Sequence, residues 1–477
     1  MQMISFVFFA FAAVVFAAMW LTNKLAKTDA RKVSAGKWIL LVASYLFVAY
    51  ADIRFAAVLA ALTAIVWFCA KKKSTVKFGI LAAILALAFF KYTNFFADSL
   101  CRLVGKEDFN ALNIILPLGI SFYTFSAIGY LVDVYRGKAE ARSLLDVATY
   151  LAFFPKITSG PIQKSNDFFA QLNSPRQIGW TSFSTGIQIF AFGVFKKLVL
   201  ADRLSVFVNQ VFDTPLVFGG GTVLLAVLAY SLQIYFDFSG YSDMAVGAAR
   251  ILDIRLPRNF NLPYLSRNVT ELWKRWHITL SSWLQEYLYI SLGGNRKGTF
   301  RTYLNLILTM VIGGIWHGPS WTYVLWGLLH GVALAVHKLF MQLTGSNKKP
   351  QGPVTAVLAT LATFAFTNLC WIFFRADSLT TAFQILSQIF TFQTGVQHWN
   401  LWVFFALAVL LGSIVVAAFA SRGKKPSEKY QNQSAVDAFY PLLDLTKFWH
   451  LVVFFLFCGL ILCLAYTGGS PFIYGAY

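Results

Sequence analysis

Apolar stretches recur along this chain, most of them long enough to cross a bilayer as a helix. They fall at 3–21, 38–50, 55–70, 78–98, 112–132, 182–210, 222–245, 302–318, 320–341, 354–374, 400–420 and 448–466. Roughly 20 apolar residues span the hydrocarbon core as a helix. The pattern therefore predicts an all-α polytopic membrane protein. The stretch 144–180 breaks it, being shorter in apolar runs and rich in Pro, Gly, Ser and Asn. It reads as re-entrant or interfacial.

The segment 264–292 follows a different period. Leu265, Val269, Leu272, Trp276, Leu280, Trp283 and Tyr287 recur at helical spacing, with Arg267, Glu271, Lys274, Arg275, Ser281, Ser282 and Gln285 between them. This predicts an amphipathic helix pair lying along the cytoplasmic interface. Gly293-Gly294-Asn295-Arg296-Lys297-Gly298 closes it.

Composition agrees with the pattern. The 477 residues are 58% hydrophobic and 13% charged, where soluble chains carry about 25% charge. The net charge of +20 sits in loops beside apolar runs, so it points to membrane orientation and to lipid headgroups, not to nucleic acid. Lys24, Lys27, Arg31, Lys32 and Lys37 follow the first run, and Lys71, Lys72, Lys73 and Lys77 follow the third. Arg136, Lys138 and Arg142, then Arg250, Arg255 and Arg258, Lys348 and Lys349, and Arg422, Lys424 and Lys425 mark further loops. One assignment puts every cluster in the cytoplasm and gives roughly eleven to twelve crossings with both termini outside. The first run has no basic stretch before it, which fits a retained anchor better than a cleaved signal. The five cysteines show neither CxxC nor zinc-ligand spacing and are expected to pack inertly.

The strongest candidate chemistry is Gly313-Gly314-Ile315-Trp316-His317-Gly318-Pro319-Ser320-Trp321. It sets an imidazole inside an apolar run, among residues that end a helix. Irregular backbone at membrane depth is tolerated where protein buries it or it lines a cavity, and an ionisable group there suggests function. The plainer alternative is a structural histidine bonded to a neighbouring helix. His277 is set among charged and aromatic neighbours on the amphipathic pair. His330 and His337 share a helix face, while His398 and His450 fall near span ends. No carboxylate or thiolate stands at ligand spacing from them, so no metal is expected. Asp237 and Asp243 are costly in lipid and are expected to cap, or to pair with the arginines of 264–292. Lys274, Arg275 and Arg296 form a basic rim, read either as a lipid-phosphate anchor or as a receiver for an anionic donor or acidic carrier.

Several motifs together resemble the membrane-bound O-acyltransferases, in the bacterial branch that acetylates alginate or peptidoglycan. They are Leu116-Pro117-Leu118-Gly119-Ile120-Ser121-Phe122-Tyr123-Thr124-Phe125, Phe154-Pro155-Lys156, Ser159-Gly160-Pro161-Ile162, the Asp237 segment, Arg275-Trp276-His277-Ile278-Thr279-Leu280-Ser281, Trp316-His317-Gly318 and Phe373-Phe374-Arg375-Ala376. The chain departs from the family at Gln285-Glu286-Tyr287 and at Ser291-Leu292-Gly293-Gly294, where the family has Arg-Asp-Tyr and Pro-Leu-Gly-Gly.

The resemblance implies a helical ring with a central funnel. Residues 1–110 would be N-terminal spans. Residues 111–477 would form the catalytic core, including 264–292 and the active-site spans 302–341. It implies His317 as general base, His277 on the cytosolic approach, acetyl-CoA as donor, and an exported glycan as final acceptor. It also implies a hydrolase-like (SGNH-type) extracytoplasmic O-acetyltransferase as partner, in the inner membrane of a bacterium. The C-terminal Phe472-Ile473-Tyr474 resembles a signature of this branch, with Tyr474 (or Tyr477) as acyl carrier; composition alone reads it as an aromatic membrane anchor. D-alanyl transfer to teichoic acid, a glycan or lipid-precursor transporter, and a non-enzymatic scaffold are the competing readings. No inverted repeat of the kind transporters carry is visible.

The charge pattern makes a topology prediction. A single cysteine at position 72 stays unlabelled by an impermeant thiol reagent in intact cells, whereas one in the 212–221 loop is labelled; labelling at 72 would reverse the assignment.

Overall fold

A computed structural model describes residues 3–105, 112–345, 352–421 and 443–468. Among them are eighteen α-helices. The first eight are α1 (Phe6–Leu25), α2 (Asp29–Ala51), α3 (Ile53–Ala70), α4 (Lys73–Leu103), α5 (Ile120–Tyr135), α6 (Leu144–Ala152), α7 (Ser165–Leu172) and α8 (Trp180–Val194). Then come α9 (Asp202–Asp213), α10 (Gly220–Ile251), α11 (Val269–Arg275), α12 (Ile278–Trp283) and α13 (Thr299–His317). The last five are α14 (Trp321–Thr344), α15 (Pro353–Arg375), α16 (Leu379–Phe390), α17 (Leu401–Ser421) and α18 (Phe448–Leu464).

Eight of these stretches are long and apolar enough to cross a membrane: α1, α2, α3, α4, the continuous Trp180–Asp213 run, α10, α14 and α15. Three of the other runs expected as spans are shorter or more polar helices. α5 has 16 residues and α18 has 17. The 19 residues of α13 include Arg301, Thr302, Asn305 and Thr309. α5 begins at Ile120, not at 112, because Gly119 turns the chain with φ 75°. A β-carbon there would also collide with the Ile157 carbonyl oxygen.

The chain packs as two compact units. The first comprises Met1–Val194, Tyr241–Pro257 and Tyr440–Leu456. Its core holds Phe8, Phe47, Phe154 and Phe190, with the half-buried Phe11 ring meeting that of Phe154 edge to face at 5.2 Å. The irregular stretch between α6 and α7 is buried. Its backbone is pinned by side chains: Phe154 N–H donates to Ser44 Oγ at 3.1 Å, and Tyr150 Oη donates to the Gln163 carbonyl at 2.7 Å. A buried irregular backbone needs such partners.

The second unit comprises Phe195–Gly240, Arg258–Phe439 and Phe457–Tyr477. It contains all the histidines except His450. A π-helical turn, Phe195–Ala201, leads into α9. Lys197 lies in this turn, and its ammonium bridges Asp237 at 2.7 Å and Asp202 at 2.8 Å, all three side chains being at most 4% exposed. This corrects the expected pairing of Asp237 with the arginines of 264–292. Arg275 binds Glu271 instead, at 2.7 Å, and Lys197 is the cation that reaches Asp237. The helix opening at a π-turn is a common way of re-aiming one side chain.

Removing one partner of a buried ion pair strands the other. Lys197→Met is expected to destabilise the detergent-solubilised protein by about 3–5 kcal/mol. The triple change Lys197→Met, Asp202→Asn, Asp237→Asn should recover most of that loss in thermal melts. Equal melting of Lys197→Met and wild type would show that the cluster contributes nothing.

Candidate active site

α13 and α14 form an antiparallel hairpin around the break seen in the sequence. Its backbones approach too closely for any side chain at two glycines. A β-carbon on Gly314 would collide with the Tyr323 carbonyl oxygen, and one on Gly327 with the Met310 carbonyl oxygen. His317 is the last residue of α13, followed by extended Gly318. Ser320 then caps α14 by accepting the Thr322 N–H, an ordinary helix start.

The His317 side chain is 3% exposed and sits in an aromatic cage. Ring centroids lie at 4.9 Å for Trp316, 5.0 Å for Trp326 and 5.1 Å for Phe374, all edge to face. Tyr323 is at 6.5 Å. Trp326 continues outward to His330 at 4.9 Å, and the His330 Nδ1 accepts from Trp273 Nε1 at 3.3 Å. His337 meets Thr270 Oγ1 at 2.9 Å. The shared face of His330 and His337 is thus spent on fastening α11 to α14.

His277 is held quite differently. It bridges α11 and α12 with φ 42°, a left-handed conformation that a residue with a β-carbon adopts at a cost. Its neighbours over-determine that bend. Asn261 N–H donates to the Arg275 carbonyl and Ile278 N–H to the Asn259 carbonyl, both at 2.9 Å. Thr279 Oγ1 donates to Asn259 Oδ1 at 2.6 Å. The ring is wholly buried, 4.6 Å from Phe238 and 6.5 Å from Trp316. Burial pushes the imidazole down to about 3.

The expected position of His277, on an interfacial pair away from the broken span, is therefore corrected. α11 and α12 are short and kinked, and their apolar face is buried, which brings His277 to within one indole of His317. The basic rim divides too. Arg275 is engaged by Glu271 and the Asn261 carbonyl, while Lys274 and Arg296 are exposed. Tyr474 and Tyr477 lie outside the described residues, as does the basic 422–425 cluster. The cage residues Trp326, Tyr323 and Phe374, and the clamp residue Asn259, were not picked out individually from the sequence as site residues. The Phe373-Phe374-Arg375 motif was the available signal. Phe374 walls His317, and Arg375 binds Asp213 at 3.3 Å and Asn209 at 2.9 Å.

A family model described as MBOAT, membrane-bound O-acyltransferase family, matches residues 65–376, which include His277 and His317. The chain belongs to the membrane-bound O-acyltransferase family. It is 36% identical to the probable alginate O-acetylase AlgI of Azotobacter vinelandii, over 91% of this chain and 93% of the relative. It is 39% identical to the probable AlgI of Pseudomonas aeruginosa, over 75% and 70%. It is 37% identical to the peptidoglycan O-acetyltransferase of Helicobacter pylori, over 79% and 77%. This multi-pass membrane protein is thus an O-acyltransferase of that family.

Burial of the His277 ring in this acyltransferase sets a pH dependence. The folded state holds the ring neutral down to about 3, and an unfolded chain protonates it at its ordinary 6.5. Between those values the unfolded state binds the extra proton, so stability is full above 6.5 and falls as pH drops toward 3. From pH 6.5 to pH 5 the loss is about 2 kcal/mol. The melting temperature of His277→Gln should fall less over that interval than that of wild type. Parallel curves would assign the acid sensitivity to other groups.

Proposed function

We propose that this acyltransferase moves an acetyl group from a cytosolic thioester to an acceptor hydroxyl at the far side of the membrane, with His317 as general base. The observation that carries this reading is the buried, caged imidazole at the α13/α14 break, inside the family-matched region. An ordinary imidazole pKa lies near operating pH, which suits proton transfer in both directions. The acceptor oxygen attacks the thioester carbonyl carbon and its proton passes to His317. The carbon–sulfur bond then breaks, and the leaving thiolate takes that proton. The aromatic walls exclude water, which would otherwise hydrolyse the thioester.

Acetyl-CoA is the proposed donor and an exported glycan the proposed final acceptor. The relatives named as alginate and peptidoglycan O-acetylases support this pair. His277, one indole from His317 and held neutral, is read as a group on the donor approach that positions and does not carry the central proton. Exposed Lys274 and Arg296 would meet the anionic donor. Tyr474, in the C-terminal tail, is the proposed carrier; a phenol activated by a neighbouring base gives a reactive ester. An extracytoplasmic transferase would take the acetyl group on to the glycan. The proposed location is the bacterial inner membrane, with both termini outside.

His317→Ala should insert and fold normally yet lower glycan acetylation at least about 10²-fold. With labelled acetyl thioester, peptide mass spectrometry of wild type should find acetyl on Tyr474, and Tyr474→Phe should lose both that label and the transfer. Near-normal acetylation by His317→Ala would overturn the base assignment. Normal transfer by Tyr474→Phe would overturn the carrier alone.

A further inference from the structure

Residues 378–421, from the start of α16 to the end of α17, contain no Asp, Glu, Lys or Arg. Such a run is ordinary for the apolar helix α17. It is unusual for a connection that meets water, since soluble chains carry about 25% charge. α16 is too short to cross the bilayer: its 12 residues make about 18 Å of helix against a hydrocarbon core of about 30 Å. One face of α16 packs on protein through Ala382, Ile385 and Gln388, which are buried. Helical spacing puts Thr380, Phe383, Ser387 and Phe390 on the opposite face, and all four are exposed. The turn after α16 adds Phe392, 81% exposed, and Trp399, 72% exposed. Phe392 has φ 47°, a left-handed conformation that a residue with a β-carbon adopts at a cost. Packing of so exposed a ring on protein does not offset that cost.

An irregular turn can lie at membrane depth only where protein satisfies its backbone, and this turn is knitted to the start of α10. Gly219 N–H donates to the Val396 carbonyl, Gly220 N–H to the Gln393 carbonyl and Val396 N–H to the Val217 carbonyl, each at 3.0 Å. His398 N–H donates to Thr222 Oγ1 at 2.9 Å. Gln388 Nε2, from the last turn of α16, donates to the Phe218 carbonyl at 3.0 Å and the Pro215 carbonyl at 3.2 Å. A β-carbon on Gly220 would collide with the Gln388 carbonyl oxygen, so α16 ends directly against the first residue of a spanning helix. That contact fixes the level of α16 at one end of a span. We infer that α16 and the 391–400 turn lie half-sunk in one leaflet as an in-plane anchor, with Phe383, Phe390, Phe392 and Trp399 against the glycerol and upper acyl region of phospholipid. Aromatic side chains favour that region. The surface also runs on without a charge into the exposed Leu401 and Phe404 of α17.

The test places the photoreactive residue benzoylphenylalanine at Phe383 or Phe392 of the full chain. Both side chains are exposed, so neither replacement disturbs a core. Phe405 of α17 serves as a lipid-facing control and Lys72 as a water-facing one. Each protein is irradiated twice, in cell membranes and in nanodiscs that hold one copy in a mixture of phosphatidylethanolamine and phosphatidylglycerol. Adducts are read by peptide mass spectrometry. Positions 383 and 392 should each gain the mass of one phospholipid, in a yield like that at 405 and several-fold above that at 72. The result should be the same in both preparations. Yields at 383 and 392 that match position 72 in nanodiscs would overturn the anchor and place this face in water. Lipid adducts in nanodiscs that give way to protein adducts in cell membranes would also overturn it, and would make the face a docking surface for a partner or a second copy.

Discussion

Between α13 and α14 the backbones are packed so closely that Gly314 and Gly327 each face a carbonyl oxygen of the other helix. Gly331 adds a third such contact, since its β-carbon would lie 2.7 Å from the Ile307 Cα. Small residues let helices in an apolar setting approach until dispersion and weak backbone contacts hold them. The hairpin fixed in this way sets His317 at its tip and turns Trp326, five residues into α14, onto the imidazole. α15 then closes the cage with Phe374. A β-carbon at any of these glycines would push the two helices apart and open the wall around His317, even though none of the three touches the ring.

The second histidine depends on a charged cluster, not on glycine. Asp237 is locked by Lys197, and the next residue, Phe238, packs edge to face on His277 at 4.6 Å. One turn of α10 therefore carries both the ion pair and the ring contact. On its other side His277 is bent into a left-handed conformation that Asn259 and its backbone stabilise. Strain of this kind persists only where the surroundings over-determine it, and it is here that the structure places a buried neutral imidazole one indole from another. In the proposed reading the two rings divide the labour. One exchanges protons, and the other is kept uncharged so that it does not draw water into the approach.

Several cations of the protein are held by carboxylates. Lys197 is paired twice, and Arg275 is paired with Glu271 and bonded to the Asn261 carbonyl. Lys37 meets Asp146 at 2.7 Å in the first unit. Lys156 instead has the aromatic faces of Tyr150 and Phe168 against its ammonium. It lies in a stretch whose sequence is as distinctive as that around His317, yet it belongs to the first unit and not to the one that carries His277 and His317.

Hydropathy alone made the protein helical and membrane-bound, because burial in lipid leaves few other ways to satisfy a backbone. The broken span at His317 was legible for a related reason. Gly313, Gly314, Gly318 and Pro319 cannot continue a buried helix without a purpose, and a titratable ring among them is costly. The family motifs, too, were readable as short local strings. The sequence could not tell which of the expected runs were full spans. Whether Leu116–Gly119 is helical depends on the Ile157 carbonyl lying against Gly119, a contact between residues 38 positions apart. Nor could periodicity show that 264–292 is buried, since an amphipathic face looks the same whether it meets lipid or protein. Partner choice was equally hidden: Asp237 takes Lys197, 40 residues away, instead of an arginine nearer in sequence. Spacing encodes neighbours along one helix, whereas the cage around His317 and the ring beside His277 come from helices that only the folded chain brings together.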